Sequence, residues 1–251
     1  YKLYFKRVYR QKERILSEKE ERIITKALNA FGPPDEAFVS LDTTDAHFKS
    51  VLLNDGNREE LSHYNWNLFL ENPSQDVRRR AFKNYYQFYC QHKNTYAALL
   101  KGNYQELEFL RDLRHYDSAL KMALDEICVS EDVYHNLIEN VHQYMDLNVE
   151  FQKIKAKLLH NKEYHLYDTY VPVVLPPQAH FTKEQAIEIV KKALAPLQED
   201  YLAHFQKILD SHAVDFYPNE SKHSGAYHWG CFDSPNYVLL NFNGSYDSVS
   251  T

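Results

Sequence analysis

The stretch Ser74-QDVRRRAFKNYYQFYCQHKNTYAALLK-Gly102 decides the fold class. Val77, Ala81, Phe82, Tyr85, Tyr89, Tyr96, Leu99 and Leu100 fall at helical spacing on one broad apolar face, as in a helix that buries one side. Ser74 offers an N-cap and Gly102 a stop. The tyrosines read as core packing with hydroxyls reaching outward; a ligand-binding aromatic box is the rarer alternative. Arg78-Arg79-Arg80 is spread around the helix circumference, so it reads as a solvated or ion-paired surface rather than a phosphate site.

The same period extends in both directions. Ser17 and Glu20 form a capping box, followed by Ile23, Ile24, Ala27, Leu28 and Phe31, with Gly32-Pro33-Pro34 closing that helix. Residues 37–41 and 47–53 read as extended, with Asn54-Asp55-Gly56-Asn57 as a hairpin turn. Ser62 is expected to cap a short helix ending near Pro73, and residues 103–114 to continue as helix beyond the stop at Gly102. Asp117-Ser118 opens another. Ser130 precedes one long helix marked by Val133, Leu137, Ile138, Val141, Met145, Ile154 and Leu158. Residues 164–175 read as extended or irregular up to Pro176-Pro177. Thr182 and Gln185 form a second capping box, and Pro196 should kink the helix they open. From Val214 the period becomes that of strands, at 214–217, 225–228 and 237–242. The predicted fold is mainly α with a small β element near residues 214–242.

Composition narrows the function classes. Gly and Pro are few, 6 and 9 in 251 residues, which argues against an all-β protein rich in tight turns. The formal net charge of −6 points to no nucleic-acid or anionic-membrane partner for the chain as a whole. Cys90, Cys128 and Cys231 are few and far apart, as in a reducing compartment. No signal segment and no bilayer-length apolar run is present, so the expected location is the cytoplasm. Tyr1 is not an initiator Met, and Ser245–Thr251 reads as a helix cap without its helix; a fragment of a longer chain is expected.

No motif suffices for catalysis: there is no Gly-rich phosphate loop, Cys-x-x-Cys, Gly-x-Ser-x-Gly or His-Glu-x-x-His. His160/His165 and His223/His228 are five apart, which aligns two imidazoles neither on a helix nor on a strand. Cys231 lies three residues from His228, but reads as a small buried strand cysteine. One segment remains, Lys222-His-Ser-Gly-Ala-Tyr-His-Trp-Gly230, then the strand Tyr237–Phe242. Gly225 and Ala226 strip bulk from an extended segment and permit close backbone approach. Either this is a structural hairpin, which the residues alone favour, or a strand that holds an unfolded peptide by main-chain hydrogen bonds.

At this point the sequence resembles oligoendopeptidase F, in the thimet-oligopeptidase-like zinc peptidases. The matching pieces are Leu16-Ser-Glu-Lys-Glu-Glu21, the Asn54-Asp-Gly-Asn turn with Glu60-Leu-Ser-His63, and Asp76-Val-Arg-Arg79 leading into Ala81-Phe82. They continue with Leu113-Arg-His-Tyr-Asp-Ser118, Val133-Tyr-His-Asn-Leu-Ile138, Tyr167-Asp-Thr-Tyr-Val-Pro172, Ser224-Gly-Ala-Tyr227 and Tyr237-Val-Leu-Leu-Asn241. Their order and spacing together carry the resemblance. It implies a helical N-terminal lobe over residues 1–115, with a β-hairpin near 47–61, and the incomplete opening of a zincin-type peptidase domain over 116–251. It further implies one Zn2+ held by a His-Glu-x-x-His helix that this sequence does not contain, so no catalytic residue and no metal ligand is assigned. Gly225, Ala226, Tyr227, Leu239, Leu240 and Asn241 are implied to border the cleft and bind the substrate backbone. His223 and His228-Trp229 depart from the family's pattern around that segment. The implied substrates are short unfolded oligopeptides; oligomeric state has no signature in the residues. A catalytically dead peptide-binding module and a plain helical interaction domain are the rival readings.

Overall fold

Gly32-Pro33-Pro34 begins a helix rather than ending one. The computed structural model, which describes residues 1–174, 180–219 and 222–250 (the Leu3 side chain apart), places Pro33 and Pro34 in the first turn of a helix through Val39. Proline at the first helical positions lacks only an N–H that would be unpaired anyway, and its φ is already helical. Asp35 and Glu36 add negative charge at the positive helix end. Residues 37–41, expected to be extended, are therefore helical and run into a π-helical turn, Ser40–Thr44.

In chain order the helices are α1 (Lys2–Lys12), α2 (Glu18–Leu28), α3 (Pro33–Val39), α4 (Trp66–Leu70), α5 (Gln75–Gln91) and α6 (Lys93–Leu113). They continue as α7 (Ala119–Glu126), α8 (Glu131–Gln143), α9 (Met145–Leu158), α10 (Lys183–Leu194), α11 (Gln198–Asp210) and α12 (Tyr246–Ser250). The strands are β1 (Val51–Leu52), β2 (Arg58–Glu59), β3 (Val214–Asp215), β4 (Tyr227–Trp229) and β5 (Tyr237–Leu239). Mainly α with a small sheet near the C-terminal end is thus the observed class. The chain divides into two compact units interleaved in sequence: residues 1–41 with 92–164, and 42–91 with 165–251. Pro176-Pro177 and Thr251 lie outside the described residues.

In the first unit, the capping box and the serine caps do what their residues require. Ser17 Oγ accepts from Glu20 N while Glu20 accepts from Ser17 N, and Ser118 and Ser130 cap α7 and α8. Gly102 lies mid-helix in α6 rather than at a stop. A Cβ there would sit 2.7 Å from Pro34 Cγ, so glycine is what lets α3 lie against α6. The single helix expected beyond Ser130 is two, broken at Tyr144 (φ −101°, ψ 6°) with neither Pro nor Gly to mark the break.

Arg114 ties this unit together. Its guanidinium forks onto the Glu21 carboxylate, with Nη2 2.8 Å from Oε2, and donates to the Arg14 carbonyl at 3.0 Å. Glu21 also accepts from Leu16 N at 2.9 Å. The Arg114 hydrogen bonds, then the Leu16 amide, lower the Glu21 pKa to about 2. A carboxylate depressed on folding stabilises above its unfolded pKa, and that contribution disappears as pH falls toward the folded value. The stability difference between the native protein and Glu21→Gln should therefore be full at neutral pH and shrink between about pH 4.5 and 2. Urea midpoints measured across that range check it; a pH-independent difference would show that the ionised pair does not matter.

The second unit has a core of Val51, Leu61, Phe69, Val77 and Ala81, with Phe48, Leu53, Trp66 and Tyr85 packed against it. The Tyr85 ring stacks on Phe48 at 4.6 Å and on Trp66 at 4.1 Å between centroids. The hairpin β1–β2 forms as expected, with Gly56 at φ +89° and the Asp55 carboxylate accepting from Asn57 N. The cap of α4 is not Ser62 Oγ: the Ser62 carbonyl accepts from Trp66 N, while Ser62 Oγ donates to Asn65. Arg78 corrects the surface reading of the arginine triplet. It is 1% exposed and pairs with Asp168, itself 0% exposed in a short 3₁₀ turn, Leu166–Asp168. Arg79 pairs with Asp76 at the surface, and Arg80 reaches Asn54.

Candidate peptide-holding edge

Thr182 caps α10 as its capping box requires, and Pro196 diverts the chain through a 3₁₀ turn into α11. That path delivers β3, the first strand of a three-stranded sheet in the order β3-β5-β4. β3 is parallel to β5, and β4 antiparallel to it. The six residues singled out from the sequence all lie in or beside this sheet.

The register assigns every main-chain direction. Val238, Leu240 and Phe242 donate their N–H groups toward β3, to the carbonyls of Ala213 (2.9 Å), Asp215 (2.8 Å) and Phe216 (2.8 Å). Successive N–H groups alternate sides along a strand, so those of Tyr237 and Leu239 face β4. Tyr227 and Trp229, opposite Leu239 and Tyr237, are then the hydrogen-bonded pairs of the antiparallel ladder. The main-chain groups of Ala226 and His228 point the other way, to the side of β4 where no strand pairs among the described residues.

This sorts the sequence-derived residues by what they can do. Ala226 lies on the open edge. Tyr227 faces β5 with its backbone and is 51% exposed as a residue. Leu239 and Leu240 lie in or just past the middle strand, and the Leu240 N–H is already spent on Asp215. Gly225 has φ +89° and nothing within 4 Å of an added Cβ, so its glycine is required by backbone conformation, not by a packed neighbour. His228 went unrecognised as a main-chain donor, since only strand order and register reveal it.

The surroundings are aromatic on one side and polar on the other. A hollow of about 790 Å³ is lined by Tyr227, Trp229, Tyr237 and Leu239 with residues 212–215. A second, of about 500 Å³, takes in His47, Phe48, His63, Lys222, Ser224 and Asn241. His63, on its lining, has Nδ1 2.8 Å from Tyr85 Oη, and Tyr89 Oη donates to Asp42 Oδ1 at 2.9 Å. Burial raises the pKa of both tyrosines, so these hydroxyls remain protonated. They join a partly buried network instead of reaching outward. Cys231 is exposed just past β4, not buried in a strand. Among the described residues no three His, Cys, Asp or Glu side chains converge as a metal site.

Among the described residues no strand pairs on the outer side of β4, and Tyr227, Trp229 and Tyr237 line the hollow beside it. A model of Peptidase family M3 matches residues 68–251, and the chain belongs to that family. It is 32% identical to oligopeptidase PepF of Bacillus subtilis over 97% of its length, covering 36% of that protein. It is 30% identical to the group B oligopeptidase PepB of Streptococcus agalactiae over its full length, covering 42% of that protein. The crystal structure of oligoendopeptidase-F from Enterococcus faecium superposes with a TM-score of 0.66 at 28% identity, over 84% of this chain and 40% of that one. The chain thus spans about two fifths of the curated relatives it matches.

Proposed function

We propose that this chain is part of a zinc-dependent metalloendopeptidase that hydrolyses short unfolded oligopeptides in a deep channel. Family membership supports the reaction class. The single observation that carries the chain's own role is the open edge of β4, with the main-chain groups of Ala226 and His228 facing away from the sheet. An extended peptide adds to such an edge through backbone hydrogen bonds, which hold many sequences alike. Residues 1–115 would form the N-terminal lobe and 116–251 the opening of the catalytic domain. The described residues do not fit a zinc site, so no ligand and no bond-breaking step is assigned to them. The metal would supply a polarised carbonyl and an activated water. Residues 1–251 alone would then bind peptide without cutting it. Three free cysteines favour the cytoplasm. No helix among the described residues is long and apolar enough to cross a membrane.

The whole protein expressed from the gene should cleave a quenched oligopeptide, lose that activity to a chelator and regain it with zinc. Whole protein that binds the peptide but takes up no zinc and gives no turnover when zinc is supplied would be a binding module instead.

A further inference from the structure

We infer that Asn241, together with Lys222, is a positioning residue that presets the turn leading into the β4 edge, rather than a group that touches the peptide. The inference deepens the peptide-edge reading above and rests on it for its kinetic consequence. The Asn241 side chain spends its amide on the turn: Nδ2 donates to the carbonyls of His223 at 2.9 Å and Gly225 at 2.8 Å. An amide NH₂ has two hydrogens, so both are used. Lys222, with a side chain only 4% exposed, donates to the carbonyls of Tyr217 at 2.6 Å and Asp215 at 3.3 Å and pairs with the Asp215 carboxylate at 3.0 Å.

These contacts form one connected path. β3 holds β5 through the N–H groups of Val238, Leu240 and Phe242. Asn241, between two of those donors, reaches across to the turn, and Lys222 fastens the start of the turn to the end of β3. Gly225 can adopt many conformations, and its φ of +89° is only one of them. The two side chains select it, and so fix where Ala226 and His228 present their edge groups. A site preset in this way loses less entropy when a ligand orders on it.

The test uses the whole protein without peptide first. In Asn241→Ala, the Tyr227 amide, paired with β5 directly after the turn, should exchange at least about tenfold faster, while Val238 and Leu240, bonded to β3, keep their rates. Asn241→Asp, nearly the same size but with no donor when ionised, should do the same at neutral pH and recover in part in acid, where a protonated carboxyl donates once. Kinetically, peptides long enough to pair along β4 should lose roughly tenfold or more in kcat/KM, mainly through KM, while the shortest cleavable substrates lose little. Unchanged exchange at Tyr227 with lost turnover would overturn the inference and make Asn241 a peptide contact. Faster exchange throughout the sheet would also overturn it, as general support. Wild-type protein without peptidase activity would sink the functional reading, yet the exchange comparison would still decide the clamp.

Discussion

Replacing Asp168 with alanine is expected to destabilise the protein by about 3–5 kcal/mol, because it strands a buried guanidinium. Arg78 Nε and Nη2 lie 3.0 and 2.6 Å from Asp168 Oδ1, and Nη1 donates to the carbonyls of Asn72 and Pro73. Asp168 Oδ2 accepts from Gln75 and from the His165 backbone N–H. Every member is bonded, and neither charge has water to fall back on. Removing the carboxylate leaves the cation desolvated and alone. The double replacement Arg78→Met with Asp168→Leu should recover much of the loss, since a buried pair gains little over apolar groups of similar volume. Urea unfolding of the three proteins checks this. A single replacement costing under about 1 kcal/mol, as exposed pairs do, would mean that water reaches the pair.

The second large effect concerns activity. His228→Pro removes one outward N–H from the open edge of β4, at a position where an edge strand tolerates proline. A peptide carbonyl that loses its partner costs about 1–3 kcal/mol, so kcat/KM of the whole enzyme should fall roughly 10–100-fold with the fold intact. Leu240→Pro is a different experiment. Its N–H bonds to Asp215 inside the sheet, so that change should damage the sheet itself. Equal turnover in His228→Pro and the native enzyme would remove β4 as the substrate platform.

Much of the helical framework was legible, because the devices that start helices are local. Ser17, Ser118, Ser130 and Thr182 each cap the helix their sequences announce. What ends a helix was less so. Gly102 has the chemistry of a stop but serves a contact with Pro34, and Gly32-Pro33-Pro34 fits a first turn as well as a last one. The break at Tyr144 has no local breaker at all.

Pieces of the sequence that carried the family resemblance, far apart in the chain, meet in space. Glu21 meets Arg114, Arg78 meets Asp168, and Asn241 meets the Gly225 carbonyl. Their residue types follow from those pairings, which one-dimensional spacing cannot display. The site was legible as a segment and not as a geometry: six residues were marked, but only strand order tells an edge donor from a ladder donor. His228 was hidden for that reason, and Lys222 because a lysine beside a turn looks like any solvated cation.

The most direct measurement is hydrogen exchange at individual amides of the whole protein, with and without a bound peptide that is not cleaved. The amides of Ala226 and His228 should become strongly protected on binding, while those of Leu239 and Leu240, already bonded within the sheet, change little. Saturating peptide that leaves Ala226 and His228 exchanging at their free rates would show that peptides are held elsewhere.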